Sequence, residues 1–477
     1  MKASGTRQFV NEVWERSIVP TLCDYIRIPN KSPAFDPNWL ANGHMQSAVE
    51  LLRDWCATLD IQGLTCEIHA LPERTPVLLC EIPATRPDLG TVLLYGHYDK
   101  QPEFAGWETG LAPWEPVLRD GKLYGRGGAD DGYALFGSLT AIAALQAEGT
   151  EHGRCVVLIE GCEESGSFDL PFYVAALNER IGSPDLVVCL DAECGNYEQL
   201  WVTTSLRGML PGVLDVQILE QGQHSGAAGG IVPSSFRLLR RVLDRIEDAS
   251  SGELHPSLYV DIPQSARVQF EAVAEVLGTT VTSRFPWTAG AWAESADPVE
   301  LLLNNAWRPS LATVGLGGAP EPADAGNTLR PGTQAKLVFR LPPTLSAETA
   351  ADTIKAELER DPPHGAKVSF QLETPQTGWC APEVAPWLAR SLESASRRNF
   401  KSRAMYMGMG GTIPFMKMLG DSYPGVQFVV TGVLGPKSNA HGPNEFLEIN
   451  TGKRITACVA DILADHGKRD AREQVEK

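Results

Sequence analysis

The chain lacks the signatures of several large functional classes. No run approaches the roughly 20 apolar residues that span a bilayer. At the N-terminus Glu12, Glu15 and Arg16 interrupt the apolar residues, so no secretory signal is expected. The ten cysteines have irregular spacing, with no CxxC pair and no Cys/His knuckle. Cys80, Cys155, Cys162 and Cys189 lie in or beside apolar runs, where a reduced thiol behaves as a small hydrophobe, and a cytoplasmic location is expected. Positive charge is short: 41 Lys and Arg stand against 59 Asp and Glu, a net charge of −18, which argues against nucleic acid or an anionic membrane as partner. There is no GxxxxGK[ST] loop and no GxSxG elbow followed by suitable partners. GRGGAD begins like a dinucleotide fingerprint but puts Asp130 in place of the third glycine, and GLGGAP and GMGGTI lack that glycine too. Nucleotide enzymes and serine hydrolases therefore fit poorly.

What is present has globular composition, 43% hydrophobic and 21% charged. A length of 477 residues exceeds one ordinary core, so two domains or one enlarged domain is expected. Four apolar runs read as strands buried on both faces: TVLLYGHYDK from Thr91, RCVVLIEGCEES from Arg154, DLVVCLDAE from Asp185, and GVQFVVTGVLGPKSNAH from Gly425. A helix of about four turns ending near Gly149 separates the first two, and a helix over 171–180 separates the next two. This βαβαβ order predicts an α/β fold with a mixed sheet flanked by helices. Residues 212–220 and 335–343 alternate more clearly and, with the strand 367–374, predict an inserted α+β domain over 206–384. The rest, 1–205 and 385–477, is then the first domain, with its sheet resuming after a helix near 387–398.

Each run ends in metal-ligand chemistry. Taken singly, every piece has a bland explanation: HxD is frequent by chance, adjacent glutamates usually form a solvated face, Asp191 can cap a turn, and His441 can be a loop histidine. Jointly they coincide at the carboxyl ends of the predicted strands, where open α/β sheets bind ligands. His97, Asp130, Glu164, Asp191 and His441 make a mixed nitrogen and oxygen set that suits two divalent ions, zinc first, with manganese or cobalt as alternatives. Two such ions need a bridging ligand, and Asp130 on its glycine-rich loop is placed for that role. Asp99 can accept the other imidazole N–H of His97. Of Glu163 and Glu164, one can bind metal while the other serves as general base.

GHYDKQP, LYGRGGADDGYAL, IEGCEESGS, Asp191, HSGAAGG and AHGPNEF together resemble the M20 family of metallopeptidases, closest to the carnosinase-like cytosolic dipeptidases. The resemblance covers nearly the whole chain. It implies that His97 and Asp191 hold one metal, Glu164 and His441 the other, and that Asp130 bridges. It implies Glu163 as general base, Asp99 as partner of His97, and a cis Asp130–Asp131 bond. The inserted domain would act as lid and dimerisation surface of a homodimer, with His224 reaching the other subunit's active site. Arg340 matches an arginine that holds the substrate carboxylate. A polar substrate-binding residue maps to either Asn327 or Thr328, and Thr412 falls where relatives place a Ser or Thr. One departure stands out: Met409 occupies the place before Gly410 and Gly411 where carnosinase-like relatives carry an acid.

The expected function is metal-dependent hydrolysis of the amide bond of a dipeptide or short peptide bearing a free carboxylate, by metal-activated water with Glu163 as general base. The rival reading, favoured by Met409, is an amidohydrolase of N-acyl amino acids or another non-peptide amide. A non-catalytic metal- or peptide-binding relative is the third.

Overall fold

The computed structural model describes residues 3–469. The four apolar runs form strands Thr91–His97, Arg154–Glu160, Leu186–Cys189 and Gln427–Val430 of one six-stranded sheet. Thr91–His97 lies centrally, parallel to both Arg154–Glu160 and Leu186–Cys189, and Gln427–Val430 runs parallel beyond the latter. Two antiparallel strands, Thr65–His69 and Val77–Ile82, complete the other edge beside Arg154–Glu160. The sheet is thus mixed, as expected.

Alternate residues of each strand enter different cores, which is why the runs are apolar throughout. Val92, Leu94 and Val157 pack on one face with the helices Ala134–Ala147 and Ile449–His466. Leu93, Tyr95, Val156 and Val187 pack on the other with Leu170, Tyr173, Phe415 and Leu419. The first crossover helix ends before Gly149, whose φ of +64° suits a helix stop without a Cβ. The helix expected over 171–180 is instead two short pieces, Leu170–Ala176 and Asn178–Ile181. Leu177 leaves helical geometry at φ −104° and ψ 10°, and its carbonyl accepts from both Arg180 and Ile181.

A second sheet is antiparallel throughout, in the order Ser310–Gly317, Gly332–Leu341, Gly208–Gln217, Lys367–Leu372. Strict in-out alternation along its two central strands sends Leu210, Leu214, Leu337 and Phe339 into a separate core, joined by Phe370, under the helices Ser235–Leu243 and Ala347–Glu359. Ser346 caps the latter by accepting from Thr349 N at 3.2 Å. A three-stranded sheet of Trp379–Cys380, Trp201–Leu206 and Met405–Met409 was not expected from the sequence. Phe270, on the helix Gln264–Leu277, and Ala306 crowd its Gly408, where a Cβ would lie 3.2 and 3.0 Å from them. Among the described residues no helix is long and apolar enough to cross a membrane.

Candidate metal centre

The donors gather where the parallel strands end. His97 is the last residue of its strand and lies opposite Glu160. Asp191 follows Leu186–Cys189 by two residues, and Glu163 and Glu164 open a 3-10 turn just past Arg154–Glu160. Asp130 lies on the glycine-rich turn before the helix Ala134–Ala147. That turn approaches the sheet at Gly96, where a Cβ would stand 2.6 Å from Asp131 Oδ2 and 2.4 Å from Ala134 Cβ. Gly127 holds φ +81° against the side chain of Lys100, leaving no room for a Cβ. The Asp130–Asp131 peptide bond is cis.

Asp130 joins two three-donor groups. Its Oδ1 lies 3.3 Å from His97 Nε2, which is 3.7 Å from Asp191 Oδ2. Its Oδ2 lies 3.1 Å from His441 Nε2, which is 3.3 Å from Glu164 Oε2. Within His97, Asp130 and Asp191, and again within Asp130, Glu164 and His441, one donor atom per residue falls within 4.8 Å of the others. Nitrogen and carboxylate oxygen at these separations fit divalent transition ions. The carboxylates crowd one another: burial, together with Asp130, pushes Glu164 up to about 8, and burial raises Asp191 to about 6. Burial also raises Glu163, reinforced by Asp191. Burial works against the His97 imidazolium, yet Asp191, Asp130 and Asp99 push its pKa well up. Cations bound among these groups would relieve the repulsion directly.

The surrounding residues fix the donors. Asp99 is fully buried and its carboxylate accepts from the backbone N–H of Glu163 at 3.1 Å and of Glu164 at 3.0 Å. His97 Nδ1 lies 3.1 Å from the Asp99 carbonyl and 3.4 Å from its Oδ1, so the residue holds both the histidine and the glutamate turn. Three residues of the same motifs escaped the sequence reading. Gln101 Nε2 donates to Glu164 Oε2 at 2.6 Å. Arg126 and Glu445, both buried, pair at 2.6 Å, and Glu445 Oε1 also accepts from Gly127 N at 2.9 Å. Arg126 Nη2 further donates to Gly442 O at 2.7 Å. This pair staples the loop of His441 to the loop of Asp130. His441 itself is held at φ +63°, a left-handed conformation that only its surroundings can impose. Burial pushes the Glu445 carboxyl up to about 7 against the pull of Arg126. Arg126→Met leaves that carboxylate unpaired and is expected to cost about 3–5 kcal/mol, read by urea unfolding, together with weakened metal retention.

A cleft of about 700 Å³ opens on the donors, and Glu163, Arg340, Met409 and Thr412 line it as well. No hydrogen bond of the Glu163 carboxylate is found among the described residues. Arg340 Nη1 donates to Thr412 Oγ1 at 3.3 Å, which donates to Arg207 O at 2.5 Å. Met409 is almost wholly buried, with Thr203 Oγ1 donating to its sulfur at 3.0 Å. Apart from the donor set and Glu163, the cleft's carboxylate is Glu193, 3.5 Å from Arg284. His224, Asn327 and Thr328 lie elsewhere. His224 pairs with Thr328 in a short exposed ladder, and Asn327 O accepts from Ser225 N at 2.9 Å. None of the three lines the cleft of its own chain.

Residues 93–465 match the model of peptidase family M20/M25/M40. The chain belongs to this family. As an M20 chain it is 26% identical over 397 residues to a cysteinylglycine-S-conjugate dipeptidase of Corynebacterium striatum, covering 80% of this chain and 82% of that protein. It is 28% identical over 369 residues to human Beta-Ala-His dipeptidase, covering 72% and 68%. The M20 fold extends over the described chain: the crystal structure of human carnosine dipeptidase 1 superposes with a TM-score of 0.79 at 22% identity, covering 98% of this chain and 99% of that one.

Proposed function

We propose that this M20 protein is a metal-dependent dipeptidase in which His97 and Asp191 would hold one divalent ion and Glu164 and His441 a second, with Asp130 shared by both donor sets. The observation that carries this reading is the position of Asp130, with one oxygen toward each histidine. The bound ions, zinc best suited to these donors, supply Lewis-acid polarisation of the scissile carbonyl and lower the pKa of water. Glu163, whose carboxylate lines the cleft without a hydrogen bond among the described residues, takes the proton of the attacking water and returns it to the leaving amine. Asp99 holds the Glu163–Glu164 turn and orients His97. Arg340, steadied by Thr412, grips the substrate's free carboxylate.

Residues 206–384 act as lid and dimerisation surface in this reading. His224, with Asn327 or Thr328, serves the cleft of a partner subunit; their exposed ladder away from their own cleft supports that arrangement. The ten free thiols support a cytoplasmic setting.

Met409 favours a second reading, an amidohydrolase of N-acyl amino acids, because a buried thioether cannot bind an ammonium as a carboxylate would. A metal-reconstituted screen of free dipeptides against N-acetylated amino acids separates the two. Hydrolysis of dipeptides at the higher kcat/KM is expected, and preference for the acetylated set would overturn the dipeptidase reading. Arg340→Met should raise KM for a dipeptide about tenfold or more, the worth of a charge-assisted hydrogen bond pair. An unchanged KM would remove Arg340 from the carboxylate site.

A further inference from the structure

Three cysteines that the metal centre does not use converge at the sheet's outer edge. Cys56 ends the helix His44–Cys56, Cys66 lies on the edge strand Thr65–His69, and Cys80 lies on Val77–Ile82. The two strands are antiparallel, and their register sets Cys66 directly opposite Cys80. The Cys66 and Cys80 sulfurs are 2.7 Å apart, and Cys56 Sγ is 4.0 Å from Cys80 Sγ. Cys56 and Cys80 are buried in the apolar core with Leu52, Leu78 and Ile82, while Cys66 is partly open to solvent.

We propose that Cys66 is a hydroperoxide-reactive thiol and that Cys80 resolves it, so that the edge hairpin closes through a reversible cross-strand disulfide. In the first step the Cys66 thiolate attacks the distal peroxide oxygen. An S–O bond forms and the O–O bond breaks, giving a sulfenic acid, with water or an alcohol leaving once a proton is taken up. Cys80 sulfur then attacks the sulfenic sulfur, an S–S bond forms, the S–O bond breaks, and the hydroxyl leaves as water with the Cys80 proton. Two thiols are oxidised and one peroxide is reduced. Thiol–disulfide exchange with dithiothreitol reverses the reaction.

Roles divide between the thiols by environment. Cys66 is the one that solvent reaches, and hydrogen bonding with Cys56 and Cys80 pulls its pKa down, whereas burial pushes Cys80 up. A metal ion suits this cluster less well. Thiolates around zinc at about 2.3 Å stand about 3.8 Å apart, wider than the Cys66–Cys80 spacing. A divalent ion with three thiolates would also leave net negative charge beside an apolar core, while a disulfide is neutral.

The test uses the full-length protein treated with hydrogen peroxide, alkylated under denaturing conditions and mapped by peptide mass. Expected is a Cys66–Cys80 crosslinked peptide lighter by two hydrogens, restored by dithiothreitol, with a reversible rise in Tm. Before oxidation, Cys66 in the native protein should alkylate at least about tenfold faster than Cys80. Cys66→Ser should abolish the crosslink and the Tm rise while the exposed Cys380 still alkylates normally. Cys80→Ala should let Cys66 proceed to sulfinic acid, which keeps the proposal testable if one variant folds poorly. Peroxide treatment without a Cys66–Cys80 crosslink overturns the proposal. So does stoichiometric metal on the purified protein that Cys66→Ser releases.

Discussion

Glu163→Gln is expected to lower kcat by about 10²–10⁴-fold, with the protein still folded and its metal content unchanged. The substitution keeps side-chain size and removes only the capacity to accept and return a proton. What secures Glu163 is its backbone: its N–H donates to Asp99 Oδ1 at 3.1 Å, and that bond survives the change. Glu164, its neighbour, is the contrasting case, since its carboxylate lies 3.3 Å from His441 Nε2 and receives Gln101. Glu164→Gln should therefore reduce metal content, whereas Glu163→Gln should not. Elemental analysis beside steady-state kinetics on a dipeptide distinguishes the two. Activity of Glu163→Gln within about tenfold of wild type would assign the proton transfer to another group.

The sequence made the chemistry of the centre readable because its donors sit where apolar periodicity stops. His97, Glu164 and Asp191 each follow a run too apolar for anything but a buried strand, so their common location could be inferred before any distance was known. The supporting residues were not readable in the same way. Arg126 and Glu445 are 319 positions apart and their pairing leaves no periodic trace, although both lie within motifs noted for other residues. The break at Leu177 follows from backbone geometry that a continuous helical pattern does not encode. The strand Met405–Met409 was missed because the pairing that stabilises it, with Trp201–Leu206, again links distant segments. Cys80 reads as a core thiol in an apolar run, and only strand register brings it face to face with Cys66. Local pattern thus reports which element a residue belongs to, while long-range partners come from the tertiary fold.

Asp130→Ala should have the largest effect, because it removes the one group shared by both donor sets. Each remaining set would keep a single histidine and a single carboxylate, His97 with Asp191 and Glu164 with His441. The side chain also supplies much of what balances the centre: His441 and His97 hold its pKa below the ordinary carboxylate value despite burial. Without it, two divalent ions would face each other with no anionic bridge to offset their repulsion. Activity is expected to fall to that of chelator-stripped wild-type protein, and both ions should be lost together. Ions that bind a folded centre and not the unfolded chain stabilise the fold, so stripping wild type should also lower its Tm, and adding metal back should restore it. Asp130→Ala should begin near the stripped Tm and respond little to added metal. If the variant instead retained one ion with partial activity, the two donor sets would be independent and Asp130 would belong to one of them alone.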